Sequence, residues 1–230
     1  MFARLATGLV ALVLVGCAPA TTLRSARTVE PGRLELVAGA AVVSLPEYNM
    51  VTGGDGGGDF QSYRFTLPQT TFGARLGLTD WADIGARASL GGLEVEGAVG
   101  LKAGFFAFAA APSAGVRWTT GADHAFDVQL PLLFGFGLVP GQPRRVELTL
   151  GAVGRFETEW GSAPRSGFFV GGSAGLTVFV STAVFLRAEY LQFWPLGASP
   201  ELGPRNGRIG AHDYFHTRIQ NGALALGWLY

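Results

Sequence analysis

One cysteine, Cys17, stands in 230 residues. That excludes an internal disulfide and a multi-cysteine metal site. Charge of one sign is not in excess either, since 17 basic and 17 acidic side chains cancel. The chain therefore has no basic field for nucleic acid and no acidic tail. Beyond residue 20 no uninterrupted apolar run reaches the roughly 20 residues that a membrane helix needs. The glycine-rich stretch Gly53-Gly54-Asp55-Gly56-Gly57-Gly58-Asp59 lacks the Lys-Ser/Thr of a phosphate loop and the closing Glu of a calcium loop. No serine is flanked as a nucleophile elbow. These absences point away from an enzyme and imply no cofactor.

What is present is apolar and glycine-rich: 48% hydrophobic residues, a mean hydropathy of +0.30 and 35 glycines. Abundant glycine disfavours long helices. High hydropathy without a helical span fits apolar side chains spread over alternate strand positions. The alternation is visible directly. In residues 124–137, Phe126, Val128, Leu130, Leu132, Phe134 and Phe136 share one face, and Asp127, Gln129, Pro131 and Gly135 the other. In residues 145–157, Val146, Leu148, Leu150 and Phe156 oppose Arg145, Glu147, Thr149, Arg155 and Glu157. In residues 183–194, Val184, Leu186, Ala188, Tyr190 and Trp194 oppose Arg187 and Glu189. One face is too charged for a soluble core and the other too bulky for water. Apolar outside and polar inside is the pattern of a barrel in lipid.

Strands are expected near 33–44, 69–78, 82–90, 93–102, 105–118, 124–137, 144–157, 167–180, 182–194 and 217–230. This predicts a closed antiparallel transmembrane β-barrel of about ten strands, with eight or twelve as the alternatives. Pro112 and Pro131 fall inside two of the strands. Each removes a ladder donor and implies a bulge or a misplaced boundary. Short turns at one rim and longer loops at the other, including 45–68 and 195–216, fit a barrel of the bacterial outer membrane.

The last stretch carries a resemblance. Leu224, Leu226, Trp228 and Tyr230 line one face, and the chain stops on the aromatic. This ending resembles the closing strand of bacterial outer-membrane β-barrels, whose terminal aromatic is read by the barrel-insertion machinery. The first 16 residues place Arg4 before an apolar stretch from Leu5 to Gly16, too short to span a bilayer. The tetrapeptide Leu14-Val15-Gly16-Cys17 resembles the lipobox of bacterial lipoproteins. That resemblance implies cleavage before Cys17, lipid on it, and passage through the lipoprotein-sorting machinery. The domain reading is thus a signal peptide over 1–16, a lipidated tether over 17–32 and a barrel over 33–230. The location implied is the outer membrane, with an anchor on the periplasmic side.

The inward faces supply the candidate site. Arg75, Asp83, Arg87, Glu94, Glu96, Lys102, Asp127, Glu147, Arg155, Glu157, Arg187 and Glu189 form a lumen charge set. Arg145 with Glu147, Arg155 with Glu157 and Arg187 with Glu189 stand two apart on one face, about 6–7 Å apart. The long arginines are expected to cross the bore and meet carboxylates of facing strands. A paired network would fill a narrow bore, since an unpaired buried charge is costly. Small inward residues such as Gly73, Gly77, Gly85, Gly171, Ser173 and Gly175 argue the other way, leaving room for a passage. His212 and His216 are a weak metal pair with no third ligand in view. Three functions follow from different classes: a structural or surface-interaction barrel acting through its outer loops, a small channel or carrier for a small or apolar solute, and a rim-located enzyme. The implied partners are outer-membrane lipid and a possible small solute, with no nucleic acid.

Overall fold

The structure is a computed structural model. It describes residues 21–52, 59–89, 91–118, 124–160, 165–198 and 219–230, with the backbone alone over 43–52 and 59–68 and at 118, 159, 165, 197 and 198. Cys17, His212, His216 and the glycine-rich loop lie outside the described residues, apart from the backbone at Asp59.

Eleven strands follow in chain order: β1 (Leu34–Thr52), β2 (Asp59–Thr79), β3 (Ala82–Ser89), β4 (Gly92–Ala103), β5 (Phe106–Ala110), β6 (Ser113–Trp118), β7 (His124–Gly137), β8 (Val146–Trp160), β9 (Arg165–Phe179), β10 (Val184–Ala198) and β11 (Ile219–Leu229). Except for β5 and β6, which do not pair with each other, each pairs antiparallel with its sequence neighbours, β1 pairs with β11, and the ring closes. β5 and β6 both lie between β4 and β7, so they are two halves of one stave, and the barrel has ten staves. Among the described residues there is no helix.

The break in the fifth stave comes at Ala111 and Pro112. Pro112 has no amide to give; its carbonyl accepts from Gly97 N at 3.0 Å, and Ala111 N donates to Pro131 O at 2.9 Å. Pro131 stays inside β7, where it stands opposite Val153. β1 and β2 run well past the expected strand ends and pair with each other beyond the rest of the barrel, with a bulge between Ser44 and Glu47.

The barrel is inside-out relative to a soluble protein. Leu93, Val95, Val99, Leu101, Val128, Leu130, Leu132, Phe134, Leu150, Phe168, Leu186, Tyr190, Trp194 and Leu224 are exposed, while the charged side chains between them are buried. Aromatic pairs stand at both ends of this exterior. Phe106 meets Phe136 at 5.7 Å near the short turns, and Phe126 stacks on Trp160 at 6.3 Å near the loops. Phe126 and Phe136 lie on one strand, about 34 Å apart along it at ~3.4 Å per residue. A tilt of roughly 40–45° reduces this to about 25 Å of height, the height of the apolar band of a membrane barrel. Leu224, Leu226 and Tyr230 on the last strand face the same way.

A candidate site in the bore, filled by the chain's own N-terminal segment

The expected strand faces place the charges inward, and the structure keeps them there. Glu35, Arg75, Asp83, Arg87, Glu94, Glu96, Arg117, Asp127, Glu147, Arg155, Glu157, Arg187 and Glu189 are all buried in the lumen. Lys102 shares the inward face of β4 but is only half-buried at the turn rim, and it makes no ion pair with a described residue. Glu35 and Arg117 belong to the network and escape the sequence reading, although each sits at an inward position of its alternating strand.

Most of the pairs join different strands. Arg155 does pair with Glu157, at 2.8 Å. Arg145 instead lies exposed at the turn rim, where its Nη1 donates to Gln142 Oε1 at 3.3 Å. Arg187 pairs with Glu35 at 3.3 Å and donates to Thr177 Oγ1 at 3.0 Å. Strand spacing explains this. Residues two apart lie about 7 Å apart on one face, whereas a cross-strand partner or one across the bore is closer. The wall therefore pairs around the barrel: Arg75 with Glu35, Arg87 with Glu94 at 2.7 Å, and Arg117 with Glu157.

The largest difference concerns the segment expected as a tether. Thr21, Thr22, Leu23, Arg24, Ser25, Ala26, Arg27, Thr28 and Val29 are all buried, at 8% exposure or less. The chain enters the bore at the turn rim. There Pro31 bridges to Gly77 of β2, and Gly32 N donates to Gly77 O at 2.9 Å. Glu30 clasps this rim, with Arg33 at 3.2 Å and Arg144 at 2.7 Å. Only glycine fits at position 77. A Cβ there would lie 1.9 Å from the Glu30 carbonyl oxygen.

Inside the bore the segment is held through its side chains and its amides. Arg24 Nη2 donates to Asp83 Oδ1 at 2.8 Å, and Val29 N donates to Oδ2 of the same carboxylate at 3.0 Å. Arg27 Nε meets Glu147 Oε2 at 2.8 Å, and Ser25 Oγ donates to Glu147 Oε1 at 2.6 Å. Leu23 N donates to Glu189 Oε2 at 2.6 Å, and the Thr22 hydroxyl donates to Glu189 as well. Arg187 donates to the Leu23 carbonyl at 2.5 Å, and Arg87 to the Thr21 carbonyl. Leu23 has φ +41°, a left-handed conformation that costs a side-chain-bearing residue about 1–3 kcal/mol. The contacts at its amide and carbonyl hold it there. Its side chain packs on Val37, Ala41, Phe185, Ala223 and Ala225. Ala26 packs on Ala98, Ala107, Ala111 and Leu133.

The small inward residues do not leave a passage. Large neighbours fold over them: Arg75 over Gly85, Arg87 over Gly73, and Phe193 over Gly171. The lumen also holds an apolar part that the charge pattern hides. Leu133, Phe169, Phe185, Leu191 and Phe193 point inward and are fully buried. Arg187 lies over the Phe185 ring at 4.8 Å and Arg155 over Phe193 at 5.7 Å, in cation–π geometry. A space of about 30 Å³ remains beside Ser25, Arg27 and Glu147, and one of about 10 Å³ beside Arg87, Glu94 and Arg117. These have room for a water or two.

Around this bore the wall is acidic. Eight buried carboxylates (Glu35, Asp83, Glu94, Glu96, Asp127, Glu147, Glu157 and Glu189) stand against five buried arginines (Arg75, Arg87, Arg117, Arg155 and Arg187) among the described residues. Arg24 and Arg27 of the segment bring two further positive charges to that surplus.

No family model matches the chain, and no curated protein matches it. Solved structures do. Ail, the attachment invasion locus protein of Yersinia pestis, is 13% identical over 87% of this chain and 99% of its own, with a TM-score of 0.36. Neisserial surface protein A is 13% identical over 86% and 97%, with a TM-score of 0.37. The outer membrane protein OprG of Pseudomonas aeruginosa is 9% identical over 90% and 99%, with a TM-score of 0.38.

Proposed function

We propose that this protein is an outer-membrane β-barrel that closes its own bore and acts through its outer loops, in a structural or surface-interaction role. The observation that carries this reading is the buried segment 21–29, which occupies the lumen where a solute would pass. The reading includes a lipid anchor at Cys17, supported by the Leu14-Val15-Gly16-Cys17 tetrapeptide. At most about 14 Å of extended chain separates that cysteine from Thr21. Thr21 sits past the turn rim beside Arg87. With 21–29 in the bore, the anchor therefore belongs on the loop side and not on the periplasmic side expected from the sequence. Insertion through the terminal strand, with Leu224, Leu226, Trp228 and Tyr230 facing lipid, belongs to the same proposal, as does sorting by the lipoprotein machinery.

Current through planar bilayers tests it. The purified protein is expected to insert and remain electrically quiet. A large, steady wild-type conductance would overturn the closed-bore reading and put the channel first. Among the described residues no group of three His, Cys, Asp or Glu could hold a metal ion.

A further inference from the structure

We propose that the bore is a binding site for a bent, arginine-bearing peptide, filled at rest by residues 21–30 of the same chain, and that it passes cations when that segment leaves. The inference rests on the membrane-barrel reading and extends it.

Three observations carry it. First, the segment is held as a ligand is held. Apart from the Pro31–Gly77 bridge at the rim, it forms no ladder with the wall. Its contacts run from Arg24 to Asp83, Arg27 to Glu147, and Leu23 and Thr22 to Glu189. Second, the wall closes without it. Every stave pairs with its two neighbours, and β1 meets β11 over ten residue pairs. Removing the segment therefore breaks no sheet hydrogen bond. Third, the charges are complementary. Arg75, Arg87 and Arg155 keep wall partners of their own in Glu35, Glu94 and Glu157. The carboxylates freed by the segment's departure are Asp83, Glu147 and Glu189, with Glu96 losing its contact to Arg24 at 3.7 Å. An emptied bore is then lined by uncompensated negative charge, which draws cations and repels anions.

The test compares the full-length protein with a variant lacking residues 21–30, each refolded into lipid vesicles and fused to planar bilayers. Heat-modifiable gel mobility reports folding. The full chain should be quiet. The deletion should conduct, with a reversal potential in a potassium chloride gradient displaced toward potassium. A synthetic peptide with the sequence of residues 21–30 should block that current. Replacing either arginine of the peptide by alanine should weaken the block by roughly tenfold or more, the scale of a contact to a charged group. The double variant Arg24→Gln/Arg27→Gln keeps the chain length and should show intermittent opening. A folded deletion variant that stays closed, or prefers anions, overturns the proposal. So does equal block by the native peptide and one with both arginines replaced. If neither variant folds while the full chain does, the segment is an integral part of the core and the proposal fails. A full chain that neither inserts nor shifts on heating overturns the membrane reading as well.

Discussion

At the scale of single residues, the lumen is a set of charges that each depend on a partner. Asp83 is 1% exposed and serves two groups of the segment, the Arg24 guanidinium and the Val29 amide. Asp83→Ala should cost about 3–5 kcal/mol, the scale for stranding a buried charge, while Asp83→Asn keeps an acceptor for the amide and should cost less. Urea unfolding of vesicle-refolded protein, followed by gel mobility, would rank them. Equal stability of wild type and Asp83→Ala would contradict the arrangement. Glycine 77 supplies a second test. With 1.9 Å between a Cβ there and the Glu30 carbonyl oxygen, Gly77→Ala must displace the segment from the rim. Trypsin should then cut after Arg24 and Arg27 in the variant and spare both sites in the wild type. Mass spectrometry of the fragments reads the difference.

At the scale of elements, alternation sets which face of each strand lies on the apolar exterior. Leu130 lies about midway between Phe126 and Phe136 on β7 and is 48% exposed, whereas Leu138, just past β7, is 53% exposed at the turn rim. Arginine at Leu130 should cost about 2–4 kcal/mol near the midplane, and at Leu138 at most about 1 kcal/mol near the interface. A larger loss at Leu138 would put the lipid band in the wrong place. The strands were legible because period two needs only composition at alternate positions. Their interruptions were partly legible. Pro112 marked the break between β5 and β6, but Pro131 was absorbed in β7 with no break. Whether a missing donor ends a strand depends on the partner that faces it, and that partner lies elsewhere in the chain.

On the scale of the whole molecule, the ring of hydrogen bonds closes through the wall alone. The barrel should therefore fold without its anchor. Cys17→Ser is expected to abolish acyl labelling and to leave heat-modifiable mobility unchanged; loss of both would show that lipidation and folding are coupled. Closure also explains why the bore needs a filler. Ten staves enclose more space than their inward glycines and short polar side chains occupy, though less than the water-filled lumen of a large barrel. Arginines folding over Gly73 and Gly85, phenylalanines over Gly171 and Gly227, and finally the segment itself take up that space.

Legible in the sequence were the strands, their outer and lumen faces, the closed antiparallel barrel and the membership of most of the charge set. All of these follow from local periodicity, which each strand carries within its own dozen residues. It did not determine the partners. Arg187 meets Glu35 rather than Glu189, and Glu147 meets Arg27 rather than Arg145. Those pairs join residues more than a hundred positions apart, and only closure of the ring brings them within reach. Nor did it show the segment inside the bore. Residues 17–32 read as a polar tether because they are rich in Ala, Thr, Arg and Pro. The carboxylates that receive Arg24 and Arg27 become one surface only when the barrel has closed around them.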